Sequence, residues 1–203
     1  MDRRMIRLSW HGITFCVDFS FFAVAAWIAL SGGQRMLWEI LSACLLHELG
    51  HLIAMECFHR RVQKVMLCGA GVLIQPAGDY AAYWQDEIVF LAGPLANLFF
   101  GGILVAVQGV NAFGMLHLGL GLFNLMPYSH LDGGSVLYAA LSAMNLLPDR
   151  TIQILNGISL CFSAGLFCAA FALGVRNVSF YGMVLYLLFL QFLLKKENTR
   201  SIP

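Results

Sequence analysis

Residues 37–58 read LWEILSACLLHELGHLIAMECF. The stretch has about the 20 residues that cross a bilayer as a helix, yet it holds His47, Glu48 and His51 within five positions. Ionisable groups inside hydrocarbon cost several kcal/mol unless partners or a metal take up their charge. A membrane helix built around a polar site is therefore expected. On a helix, positions i and i+4 share a face, with Cβ atoms about 6 Å apart. His47 and His51 can then grip one zinc ion, and Glu48 can reach the water activated there as a general base. The same HExxH pattern arises by chance on soluble helices, where solvent removes the cost of its charges.

Working outward, the composition agrees with a chain that lives in lipid. Of 203 residues, 60% are hydrophobic and 11% charged, against about a quarter charged in a soluble domain. A net charge of +1 and the lack of a basic stripe speak against a nucleic-acid partner. The six cysteines, Cys16, Cys44, Cys57, Cys68, Cys161 and Cys168, lie mostly in apolar runs without CxxC spacing, so they read as small core residues rather than a disulfide or thiolate framework.

Apolar runs recur at 17–30, 37–58, 88–107, 112–147, 152–175 and 178–194. They predict an all-α polytopic membrane protein of about six transmembrane helices. The first run follows Arg3, Arg4 and Arg7 and lacks a clean small-x-small cleavage site, so it reads as an uncleaved span. The fourth is too long for one straight crossing and contains Asn124, Pro127 and Gly133-Gly134. A broken or kinked helix is expected there.

Residues 62–83 have β-branched positions around Gly69-Ala70-Gly71 and a break at 76–78. They predict a short membrane-dipping β-hairpin after the second span, with an ordinary loop as the alternative. With six spans and both termini cytoplasmic, the inner side collects Arg3, Arg4, Arg7, Arg60, Arg61, Lys64, Arg150, Lys195, Lys196 and Arg200, leaving only Arg35 and Arg176 outside. That asymmetry follows the positive-inside rule. The chain reads as a single transmembrane domain over 1–203, without a further regulatory domain.

Two histidines do not complete a catalytic zinc site, which commonly has three protein ligands and an open position. Asp132, a carboxylate in the long fourth run beside two glycines, is the candidate third ligand; a solvated helix cap is its bland alternative.

Three motifs now stand in order: His47–His51, Gly93-Pro94-Leu95-Ala96-Asn97, and Asn124-Leu125-Met126-Pro127 followed by Leu131-Asp132-Gly133-Gly134. Together they resemble the signatures of site-2 proteases, intramembrane metalloproteases that include the sporulation factor proteases. The resemblance covers most of 37–147, the expected catalytic core. It implies that His47, His51 and Asp132 ligate Zn2+ and that Glu48 activates water. It also implies that Asn97 and Asn124 position substrate backbone or stabilise an oxyanion, the alternative for each being a hydrogen bond between helices. The hairpin around 69–71 would pair with an unwound substrate by strand addition.

Two positions depart from the family pattern: His130 stands where a second proline is common, and Ser135 where a basic residue often follows the glycines. His130 is expected beside the site rather than in it, and His117 to pack through a hydrogen bond. Glu39 and Asp18 are expected near span ends, with Glu56 and His59 at the cytoplasmic interface.

The expected function is thus an intramembrane zinc metalloendopeptidase acting on a transmembrane protein substrate, in regulated intramembrane proteolysis. The resemblance points to a bacterial cell membrane. The alternative is a non-proteolytic membrane zinc-binding protein or transporter, for which Glu48 would have no use.

Overall fold

The computed structural model describes residues 5–10, 12–69, 71–77 and 82–198. Of the positions weighed above, Arg3, Arg4, Ala70, Gly78 and Arg200 lie outside the described residues. In chain order the elements are β1 (Met5–Trp10), β2 (Ile13–Asp18), α1 (Phe19–Cys57), β3 (Val62–Cys68), β4 (Gly71–Pro76), α2 (Tyr83–Gln108), α3 (Ala112–Asn124), α4 (Asp132–Ala143), α5 (Pro148–Ala172) and α6 (Val178–Asn198). Helices α1, α2 and α5 are long and apolar enough to cross a membrane, and 112–124 and 178–191 are shorter apolar helices. Large apolar side chains on the long helices face outward, including Phe19, Trp27, Leu30, Phe99 and Phe171, as a lipid-facing surface requires.

The all-α expectation is corrected by a four-stranded sheet of order β1-β2-β3-β4. β1 and β2 form an antiparallel hairpin that pairs Met5 with Asp18 and Trp10 with Ile13. Gly12 in its turn has φ +81°, a conformation glycine takes without steric cost. β2 pairs with β3 in parallel, Thr14 opposite Lys64. A parallel pair needs a long crossover, and α1 provides it. The expected hairpin at 62–83 is present as β3 and β4, with Cys68 opposite Gly71. The first apolar run therefore begins inside a strand: Val17 and Asp18 belong to β2, and Asp18 caps α1, its Oδ1 accepting from Ser20 N at 2.8 Å.

Within α1, Gly33 breaks the helix at φ 80°, ψ 171°, between the two runs read as separate spans. The break expected in the fourth run lies at 125–131, between α3 and α4. All six cysteines are free. Arg35 Nε donates to Glu39 Oε1 at 2.8 Å one helical turn away.

The chain divides into two compact units, Met1–Ala82 with Ala92–Leu122, and Tyr83–Leu91 with Phe123–Pro203. In the first, small residues bring helices close. A Cβ on Gly101 of α2 would meet Gly114 O and Leu118 N of α3 at 2.9 Å.

In the second, a buried polar network holds the 125–131 turn. Tyr128, fully buried, shares a 2.6 Å hydrogen bond with Ser163 of α5. Ser129 donates from N and from Oγ to Gln191 Oε1 of α6, at 2.8 and 3.1 Å. Gln191 Nε2 in turn donates to Asn156 Oδ1 and Ser159 Oγ of α5, and Ser159 Oγ donates to Pro127 O. Buried polar groups must find such partners, and here they tie the turn to α5 and α6.

Candidate metal centre

The centre starts from the i, i+4 spacing of His47 and His51 on α1. Both rings are buried, and their Nε2 atoms face each other at 3.1 Å. Two nitrogens at that separation, each about 2.0–2.1 Å from a common zinc ion, subtend an angle of about 100°, close to tetrahedral. The donor pair therefore fits the ion without rearrangement.

The Gly-Pro-Leu-Ala-Asn segment of α2 explains how the pair is held. A Cβ on Gly50 would lie 2.6 Å from Ala92 O and 3.0 Å from Gly93 Cα, so the two helix backbones touch at the level of the site. A Cβ on Gly93 would lie 2.6 Å from His51 Cε1 and nearer still to Nε2. Glycine at 93 is what leaves room for the His51 ring. One turn on, Asn97 is fully buried, with Nδ2 3.3 Å from His47 Nδ1. Its Oδ1 lies 3.0 Å from Nδ1 of His117 on α3. Gly93 meets His51 and Asn97 meets His47, so the two helices run in opposite directions here.

Glu48, half-buried, follows His47 on the same helix turn. Asp132 is the first residue of α4, where a carboxylate suits the helix N-terminus. The cap position itself is Leu131, with no side-chain cap bond. His47, His51 and Asp132 are the metal-ligating side chains among the described residues that could together hold an ion. His130 is not among them; its ring lies 6.0 Å from that of Tyr128. Asn124 ends α3.

The hydrogen-bonded packing expected of His117 is present. The structure gives it a defined hydrogen-bond partner in Asn97, and it packs edge-on against Phe100 and Phe113 at 4.8 and 4.7 Å. A buried histidine in an apolar helix was the available signal; its partner depends on how α2 meets α3. Ser129, Gln191 and Ser163 were not singled out from sequence at all.

An HExxH pair with facing, buried Nε2 atoms, on a chain with three membrane-length helices, is the pattern of a membrane metalloprotease. No family model matches the sequence. Over 222 residues it is 29% identical to a Synechocystis sp. protein named for zinc metalloprotease activity, with 95% of this chain and 58% of that protein covered. It is 31% identical to stage IV sporulation protein FB of Bacillus subtilis, covering 71% of this chain and 53% of that protein. The chain thus spans a little over half the length of these relatives. The solved site-2 protease from Methanocaldococcus jannaschii superposes with a TM-score of 0.62 at 22% identity, over 91% of this chain and 92% of that one. These likenesses support a site-2 protease family, and the fold is that of the solved site-2 protease.

Proposed function

We propose that the protein is an intramembrane zinc metalloendopeptidase that hydrolyses a peptide bond in or near a transmembrane segment of another membrane protein. The observation that carries this reading is the buried pair of Nε2 atoms 3.1 Å apart, with Glu48 beside them. A transporter has no need of a carboxylate between two ligands. His47, His51 and Asp132 would hold the ion. Zinc bound there supplies Lewis acidity and makes water acidic enough to ionise at about pH 7.

Glu48 accepts the proton released by the attacking water and returns it to the leaving amine. Asn97 orients His47 through Nδ1, and Asn124 supplies a polar group for substrate backbone. The substrate helix must open locally, because intrahelical hydrogen bonds hide its carbonyls. Edge strand β4, on a hairpin dipping toward the membrane, offers backbone groups that hold the opened segment.

The whole chain acts as one catalytic domain of about six spans, its core over 37–147 and both termini cytoplasmic, in a bacterial membrane, where such cleavage serves regulated proteolysis. The test is Glu48→Gln, with zinc content and cleavage of a reporter transmembrane segment read on the same preparation. One zinc per chain with cleavage lost is expected. Cleavage at the wild-type rate would refute the role of Glu48.

A further inference from the structure

His47 can bind a metal through Nε2 only if its remaining proton sits on Nδ1, and that proton needs an acceptor. The group facing Nδ1 is the side-chain amide of Asn97, 3.3 Å away, whose other end faces His117 Nδ1 at 3.0 Å. Amide oxygen and nitrogen exchange places by a half-turn that moves nothing else. The chain of three side chains therefore has two states. In one, His47 Nδ1–H donates to Asn97 Oδ1, Asn97 Nδ2–H donates to His117 Nδ1, and His47 Nε2 is a free lone pair. In the other, Asn97 Nδ2–H donates to His47 Nδ1, His117 Nδ1–H donates to Asn97 Oδ1, and the neutral His47 carries its proton on Nε2, where a metal would bind.

The surroundings of His117 decide between them. Its Nε2 is buried without a hydrogen-bond partner among the described residues. The ring packs against Phe100 and Phe113, its centroid 4.8 and 4.7 Å from theirs and its plane at 66° and 79° to theirs. An N–H buried among aromatic rings can make a weak bond to their π-density, which a lone pair cannot. That environment favours the Nε2–H tautomer of His117. Its Nδ1 is then an acceptor, which turns Asn97 so that its oxygen faces His47.

We infer that His117 is a positioning residue: acting through Asn97, it selects the tautomer of His47 whose Nε2 is free to bind the metal. The inference rests on the zinc reading above and adds a residue that touches neither metal nor substrate. The close approach of α2 and α3 at Gly101, where a Cβ would come within 3.0 Å of His117 Cβ, brings the relay within hydrogen-bond distance.

The experiment measures zinc affinity of the full-length protein in detergent by competition with a chromophoric chelator. Wild type should bind one zinc per chain; no binding would overturn the zinc reading and this inference together. His117→Leu should weaken binding about 10- to 100-fold, the usual effect of losing such a partner. His117→Asn, which places an amide oxygen as many bonds from Cα as Nδ1, should recover most of the loss.

In the Asn97→Asp background both carboxylate oxygens accept, so no turning is needed and His117→Leu should change affinity less than about threefold. The same loss in both backgrounds would mean that His117 acts only by packing, and would overturn the inference. If His117→Leu fails to fold, Asn97→Asp with and without His117→Asn gives the same comparison: affinity at least equal to wild type and indifferent to residue 117 is expected, and a clear drop refutes the relay.

Discussion

Gly93→Ala adds one methyl group to a membrane helix and should disable the metal centre. The added Cβ would sit 2.6 Å from His51 Cε1, whereas carbon atoms rest at about 3.5 Å or more. The His51 ring must therefore retreat by roughly 1 Å, and α1 packs so closely on α2 at Gly50, where a Cβ would fall 2.6 Å from Ala92 O, that its backbone has no room to move instead. Metal–ligand distances tolerate about 0.2 Å, so the displacement exceeds what the site can absorb several-fold. Zinc affinity should fall at least about 100-fold, and cleavage with it, since a 1 Å misplacement at a reacting centre costs about that much. The assay is chelator competition with thermal unfolding on the same sample, and Gly102→Ala as control. Gly102 lies on the same helix with nothing within 4 Å of its would-be Cβ, so that variant should keep its zinc. If Gly93→Ala binds zinc within twofold of wild type, the steric account of the Gly-Pro-Leu-Ala-Asn segment is wrong.

Two further outcomes follow from the same geometry. Gln191→Leu removes the acceptor of Ser129 N and Oγ and the donor to Asn156 and Ser159; unfolding in detergent should show a loss of about 1–3 kcal/mol, and unchanged stability would mean the network is not what holds the turn. Zinc chelation should abolish cleavage reversibly and lower the unfolding temperature of the wild type, but leave that of Asp132→Ala unmoved; an equal shift in both would remove Asp132 from the ligand set.

Much of the site was readable because its spacings are local. His47 and His51 sit on one helical face by arithmetic alone, and Gly93 and Asn97 repeat that spacing on α2. The break between α3 and α4 follows from Asn124, Pro127 and the glycine pair. What sequence hid was contact between distant segments. Met5–Trp10 and Ile13–Asp18 carry short alternating patterns around Gly12, yet the partner that completes their sheet, β3, lies beyond the whole of α1. Without that pairing the segment shows only basic residues ahead of the first apolar run. His117 likewise shows its role only through Asn97, twenty positions earlier. That Leu131 rather than Asp132 takes the cap position of α4 was likewise not legible in the sequence.

The fastening of the 125–131 turn has a consequence for how the protein is made. Asp132 emerges from the ribosome long before Gln191, the side chain that grips Ser129 and Ser159 at once. At about 5–20 residues per second, the 59 positions from 132 to 191 take roughly 3–12 s to synthesise. Until then the aspartate rides on a turn whose last anchor does not yet exist. The anchoring of the 125–131 turn is thus complete only once α6 has been made.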